Sequence, residues 1–380
     1  MDFNLPEETQ MLQDTVRRFV DSELMPLEQQ LPDRPNSFDL PDEIHSALMV
    51  KLDKLGLRGV DVPEDAGGAG LGPLDNGIVT EQVYRCTAGR SVFASRFAHM
   101  LYTLGSTEQK EKYLIPTVRG EFHGASAFSE PQAAGDLAGI KTTLEKTADG
   151  WVINGTKCWI ASAKSARYVL VLTRLKGTER HDGMTWVIVD AGCPGFTIGR
   201  QQKIIHGEST YELFFENCVV PDSQLLGEPG QGWTAGTAFL YASRVQIAAR
   251  ALGIADRCLE MAIDYARERH TFGKPLATRQ AIQWMIADSA IELRAARLMV
   301  YETAWRAQCG EQVITQTAMI KVMATEMAGR VVDRAVQIHG AAGLSDETIL
   351  ERCYRDVRPM RIYEGTSEAM RSVIARNLLG

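Results

Sequence analysis

Glu364 lies between Tyr363 and Gly365 in Arg361-Ile-Tyr-Glu-Gly-Thr-Ser-Glu368, and two small hydroxyl residues follow it. A Glu near the end of a long helical stretch is by default a solvated charge. A carboxylate becomes a useful base near neutral pH only when its pKa is raised, and burial beside an aromatic ring raises it. The chemistry open to Glu364 is therefore proton transfer. Two other segments have mixed composition. Arg269-His-Thr-Phe-Gly273 reads as a helix end, with basic residues favoured by the dipole and Gly273 as C-cap, but that leaves Thr271 and Phe272 unexplained. Phe128-Ser-Glu-Pro131 reads as a turn, and Trp159, taken alone, reads as a core side chain.

Several other features carry no chemistry. Gly68-Ala-Gly70-Leu-Gly72 lacks both the preceding strand and the spacing of a dinucleotide loop. His99, His123 and His206 have no metal-ligand spacing, and His339 stands before Gly340 without a Cys or Ser partner, so no metal is expected. The seven cysteines show no CxxC, which fits buried free thiols in a reducing compartment.

Three zones have to position these residues. Residues 1–125 read as helical: Leu5-Pro6-Glu7-Glu8 resembles a helix start, and Leu12, Val16, Phe19 and Val20 recur at helical spacing. Residues 126–230 read as an antiparallel β domain. Tyr168–Leu172, Trp186–Val189 and Leu213–Phe215 are short apolar runs, and Asp149-Gly150 and Asn154-Gly155 are turn signals. Residues 231–380 return to long helices, with Leu252, Ala255, Leu259, Ala262 and Ala266 on one face and Met327, Val331, Ala335 and Ile338 on another, as in a helical bundle. With 380 residues the chain exceeds one simple core. A formal charge of −7 argues against a nucleic-acid surface. No apolar run approaches the ~20 residues that span a bilayer. The first residues carry acids and no apolar targeting stretch, so a cytoplasmic location is expected.

The Tyr-Glu-Gly-Thr-Ser, Arg-His-Thr-Phe-Gly and Phe-Ser-Glu-Pro segments, together with Val62–Gly68 and Gly105–Lys110, resemble the acyl-CoA dehydrogenase family over essentially the whole chain. The resemblance implies a mostly α, α+β fold, with an N-terminal helical domain, a central β domain and a C-terminal four-helix bundle. It implies one FAD per subunit in a homo-oligomer, a tetramer or else a dimer. It implies that Glu364 is the catalytic base, removing the α-proton of an acyl thioester while a hydride leaves Cβ for the flavin. Some members carry the base on an earlier helix, immediately before an arginine; that position is Ser243 here, before Arg244, so Glu364 stands alone.

By the same resemblance Phe128, Ser129, Trp159, Ile160 and Ala161 contact the flavin. Arg269, Thr271, Phe272, Gln280, Gln337, Gly340 and Ala341 reach the FAD of a neighbouring subunit, with Arg269 on its pyrophosphate, and Thr366 and Glu368 complete the cofactor set. Gly135, Tyr241, Arg244, Tyr363 and Gly365 are implied on the substrate side. Three departures from the family pattern bear on this. Ala134-Gly135 lacks a serine, Ala161 lacks a hydroxyl whose contact is then lost or passes to Ser162, and Tyr241 replaces an acid.

The expected reaction is α,β-desaturation of an acyl-CoA to the trans-2-enoyl-CoA, with electrons passed to an electron-transfer flavoprotein. The alternatives are an acyl-CoA oxidase that uses O2 and a non-catalytic acyl-CoA-binding scaffold. The acyl pocket is expected around Phe93–Leu104, Tyr241 and Tyr363, and its chain length is not legible.

Overall fold

The structure is a computed structural model and describes residues 4–31, 40–93, 97–133, 135–205 and 209–380. In chain order the regular elements are α1 (Glu7–Phe19), α2 (Met25–Gln30), α3 (Asp42–Lys54), α4 (Pro73–Val83), α5 (Ala98–Leu104), α6 (Thr107–Gln109) and α7 (Ile115–Val118). The strands β1 (Gly124–Ala127), β2 (Thr143–Thr147), β3 (Gly150–Ala161), β4 (Tyr168–Leu175), β5 (Met184–Asp190), β6 (Phe196–Lys203), β7 (Ser209–Val220) and β8 (Leu225–Leu226) follow. The chain then forms α8 (Gly232–Glu268), β9 (His270–Thr271), β10 (Lys274–Pro275), α9 (Gln280–Gln308), α10 (Ile314–His339), α11 (Leu350–Val357) and α12 (Ser367–Leu379). Two compact units result: the described parts of 1–40, 72–91 and 241–380, and the described parts of 41–71 and 92–240.

In the first unit the apolar stripes meet as their spacing requires. Leu252, Ala255, Ala262 and Ala266 of α8 and Met327, Val331, Ala335 and Ile338 of α10 are all buried in one core with Leu293, Ala296 and Val300 of α9. The many alanines let the helix axes approach closely. A polar tie joins α4 to α9: Arg297 Nε and Tyr301 Oη donate to the two oxygens of buried Glu81, each at 2.8 Å.

The second unit is built on an eight-stranded sheet in the order β6-β7-β3-β2-β4-β5-β8, with β1 beside β4. Tyr168, Leu170 and Leu172 face a core shared with Leu101, Leu114 and Val118 of the helical segments, whereas Val169 and Val171 face Ile153, Phe196, Leu213 and Phe215. Both faces of β4 are thus covered, which explains its uninterrupted apolar run. At its heart is a buried ion pair. Lys157 Nζ donates to Glu130 Oε1 at 2.8 Å and to the Phe128 carbonyl at 3.0 Å. Glu130 also accepts the Lys141 and Thr142 amides at 2.6 and 3.0 Å. Burial alone would push the Glu130 carboxyl up, but Lys157 and these N–H donors hold it below its ordinary value.

Some expectations need correction. Most strand pairs are antiparallel, yet β1 and β2 run parallel to β4. Asn154-Gly155 is no turn: it lies inside β3, at a register shift against β7, where the Asn154 side chain accepts the Asn217 amide at 2.7 Å. Gly273 is not a C-cap either. α8 stops at Glu268, and Phe272-Gly273 form the tip of the small β9–β10 hairpin, both with positive φ, as a type I′ turn requires. Cys309 is exposed rather than buried. His206 and Ala134 lie outside the described residues.

Removing one member of a buried ion pair strands the other charge, at a cost of about 3–5 kcal/mol. Lys157→Met is expected to lower stability by that amount in denaturant titration, and Glu130→Gln in the same chain to recover most of it. A loss below about 1 kcal/mol would mean that Glu130 is not desolvated as described.

Candidate active site

Three groups of sequence-predicted residues are visible, each within one unit. The first surrounds Glu364. The turn between α11 and α12 puts Glu364 at φ 57° and Gly365 at φ 97°. Left-handed backbone is strained for a glutamate, costing of order 1–3 kcal/mol, and persists only where neighbours enforce it. Here they do. Thr366 caps α12, its hydroxyl accepting the Ala369 amide at 3.1 Å. Lys321 of α10, fully buried, donates from Nζ to the Gly365 carbonyl at 2.5 Å. Arg244 of α8, also buried, donates from Nε to the Glu364 carbonyl at 3.4 Å and lies with Cζ 5.5 Å from the Tyr241 ring centroid. Ser243 Oγ then donates to Glu364 Oε2 at 2.8 Å.

Electrostatics at this carboxyl pull both ways. Burial is the largest influence and raises its pKa; the Ser243 hydrogen bond and the Arg250, Arg244 and Lys321 charges oppose it without cancelling it. Lys321 is brought down to about 8, chiefly by its own burial and then by Arg244. Glu364 is thus half-buried, oriented by one hydroxyl, and a stronger base than an exposed carboxylate. Tyr363 precedes it, while Glu368 is exposed in the first turn of α12.

The second group sits at the other end of α8. Arg269, Phe272 and Gln280 are exposed, with the Phe272 ring 98% accessible at the hairpin tip. Arg279 Nη2 donates to the Thr271 carbonyl at 2.7 Å and steadies the hairpin. Gln337, Gly340 and Ala341, at the end of α10, are exposed too. The Tyr265 and His339 rings stack at 4.2 Å and join the α8 and α10 ends, so His339 has a packing role. From Ser243 to Glu268 a helix extends about 37 Å, so these residues are remote from Glu364 within one chain.

The third group belongs to the second unit. The Cys158 amide donates to the Ser129 carbonyl at 3.0 Å, which with the Lys157 bond to Phe128 stitches the Phe128–Glu130 segment to β3. The Phe128 ring meets Trp186 edge-on at 4.7 Å. Between Lys157 and Ile160 β3 slips register against β7, and Trp159 takes φ 60°. This bulge turns the indole outward, 54% exposed, so the core reading of Trp159 fails. Ile160 is buried, Ala161 partly so, and Ser162 is buried at φ 57°. Gly135 is exposed, and a side chain at this position would meet open space.

Sequence reasoning set Ser243 aside because it cannot be a base; the structure gives it the task of holding one. Lys321 and the Glu130–Lys157 pair were also missed. The available signal was a charged residue inside an otherwise apolar helical or strand pattern.

The acyl-CoA dehydrogenase N-terminal, middle and C-terminal domain models match residues 6–121, 125–218 and 230–379. An acryloyl-CoA reductase (NADH) of Anaerotignum propionicum is 37% identical over 386 residues, covering 100% of this chain and 96% of its own. The mitochondrial short-chain specific acyl-CoA dehydrogenase of Mus musculus is 38% identical over 381 residues, covering 99% of this chain and 91% of its own. The solved structure of butyryl-CoA dehydrogenase from Megasphaera elsdenii has a TM-score of 0.90 at 32% identity, covering 100% of both chains.

A half-buried acid with a raised pKa binds its proton more tightly folded than unfolded, so stability falls as pH rises from the ordinary carboxyl range through the raised value. Glu364→Gln removes that loss. The variant is expected to be more stable than the parent at pH 7 and equal to it near pH 4, where both are neutral at this position. Thermal midpoints measured across that range check it; a variant less stable at pH 7 would contradict the assigned desolvation.

Proposed function

The chain belongs to the acyl-CoA dehydrogenase family, and on that premise we propose that it desaturates an acyl-CoA thioester at Cα–Cβ to the trans-2-enoyl-CoA, with Glu364 as the base. It is an FAD-dependent oxidoreductase acting on CH–CH bonds, as its family is. The residues of the second unit suit such a cofactor: an outward-held Trp159 face beside a backbone segment fixed by the Glu130–Lys157 pair fits a planar heteroaromatic ring. When bound, FAD supplies the acceptor for the hydride that leaves Cβ. We assign Phe128, Ser129, Trp159, Ile160 and Ala161 to its ring, and Thr366 and Glu368 to the same cofactor.

The observation that carries the reading is the Glu364 carboxyl, desolvated and aimed by Ser243. Ser243 holds one oxygen, leaving the other to take the α-proton. The backbone turn at Glu364 and Gly365, fixed by Lys321 and Arg244, keeps the acid from swinging into water. A Glu364 amide is the donor we assign to the thioester carbonyl, where negative charge grows as the proton leaves. Tyr241, Arg244, Tyr363, Gly365 and Gly135 are assigned to the acyl and pantetheine portions.

A homo-oligomer supports this scheme. As the family resemblance implies, we assign Arg269, Thr271, Phe272, Gln280, Gln337, Gly340 and Ala341 to a second copy's cofactor, in keeping with the roughly 37 Å of α8 between Ser243 and the Arg269 end. An apolar seam for such pairing exists on α9, where Trp284, Ile291, Leu298 and Trp305 recur every seven residues, all exposed in the single chain. We keep the domain division 1–125, 126–230 and 231–380, which the three family matches support. Electron-transfer flavoprotein is the proposed acceptor. The free thiols fit a reducing compartment, the cytoplasm, and among the described residues no helix is long and apolar enough to cross a membrane. Ala161, without a hydroxyl, leaves room for an oxidase as second reading; peroxide formed in step with turnover would select it.

Glu364→Gln is expected to retain FAD and bind acyl-CoA but to reduce its flavin at least ~100-fold more slowly in anaerobic stopped flow, the scale of a lost general base. Bleaching at the parent rate would remove Glu364 from the mechanism.

A further inference from the structure

Two arginines of the first unit flank one ring. Arg90 Cζ lies 4.5 Å and Arg250 Cζ 5.0 Å from the centroid of Tyr84. Like charges brought this close, out of water, need counter-charge. Arg90 has one, since its Nη1 donates to buried Asp356 at 2.8 Å and its Nε to the Cys86 carbonyl. Its Nη2, sealed from solvent, has no hydrogen-bond partner. Arg250 has less. Its Nε is equally sealed and unpartnered, and among the described residues no acceptor bonds any part of its guanidinium. Arg250 is half-buried, with Glu364 acting on it only through space, and a sealed Nε with no protein acceptor is a costly arrangement that a ligand can complete.

Position on the helix says where that ligand ends. Arg250 follows Ser243, the residue that holds Glu364, by two helical turns on the same face of α8, about 10 Å along the axis. Side chains on a helix lean toward its N-terminus, so the guanidinium reaches back toward Ser243 and Glu364. A group bound at Arg250 therefore lies only a few carbons beyond the carbon that Glu364 deprotonates. Its charge has to be negative, and its geometry has to suit a planar donor fork, which a carboxylate does.

We infer that Arg250, with Arg90 behind it across the Tyr84 ring, forms a subsite for a second carboxylate, so that the preferred acyl group is that of a short dicarboxylic acid joined to CoA through one end. This rests on the dehydrogenase reading above and deepens it. Asp356 neutralises one of the two arginines and the substrate carboxylate the other. Arg244 and Lys321 then remain as the positive charges beside Glu364.

The test compares the CoA monothioesters of four- to six-carbon dicarboxylic acids with straight-chain acyl-CoAs of equal length, by flavin reduction and by Kd on the FAD-loaded enzyme. The carboxylated series is expected to show kcat/KM at least 100-fold above the uncharged one. Arg250→Gln is expected to abolish that preference as a ratio between the two series, weakening Kd for the carboxylated thioesters at least tenfold more than Kd for the uncharged chains, whatever its effect on the rate common to both through Glu364. Preference of the parent enzyme for uncharged chains would overturn the subsite and leave the proposed function standing. Equal losses on both series in Arg250→Gln would overturn it too, by showing a structural part for Arg250. No flavin reduction by any thioester would overturn the dehydrogenase reading and the subsite with it.

Discussion

A half-buried carboxyl group is held at a backbone angle that glutamate disfavours, and most of the helical unit serves that placement. Left to itself the Glu364-Gly365 turn would relax and the acid would hydrate, losing its raised pKa. Three helices prevent this. α8 offers Ser243 to the side chain and Arg244 to the carbonyl, α10 sends a fully buried lysine to the next carbonyl, and α12 starts at the Thr366 cap. Burying Lys321 and Arg244 is itself unfavourable. That cost is offset because both satisfy carbonyls that the turn would otherwise leave unpaired.

Positive φ at a bulky residue recurs where function is proposed. Trp159 owes it to a bulge in β3, Phe272 to a two-residue hairpin turn, and Glu364 to the turn before α12. Each puts a side chain where a regular strand or helix would not: an indole turned outward, a ring at a tip, an acid beside a serine. Strained backbone held by its surroundings is a recurrent mark of sites that have to be pre-organised. Rigidity is supplied nearby in each case, by the Glu130–Lys157 pair, the Arg279–Thr271 bond and the Lys321–Gly365 bond respectively.

The sequence made local order legible and left long-range pairing obscure. Helical periodicity placed Leu252, Ala262, Met327 and Ile338 in a core because burial on a helix repeats every three to four residues. The apolar run at 168–172 announced a strand covered on both faces. Turn signals were less dependable. Asn154-Gly155 became a bulge and Gly273 a hairpin tip, since the same φ > 0 preference serves turns, bulges and caps alike. Glu364 was found from its neighbours in sequence. Its partners were not, because Ser243 lies 121 positions away and nothing local marks it. Arg250 was equally silent: one more basic residue in a long helix, until folding set it against Tyr84 without an acceptor.

The central claim is that Glu364 moves a proton at the α-carbon. Its most direct measurement is hydrogen exchange into a bound acyl-CoA in D2O, followed by NMR with no electron acceptor present. Exchange at the α-carbon is predicted for the parent enzyme, rising with pH as the carboxyl ionises above the ordinary glutamate range, and absent in Glu364→Gln. Exchange that persists at the parent rate in that variant, or that is already complete at the pH where an exposed glutamate ionises, would contradict the account.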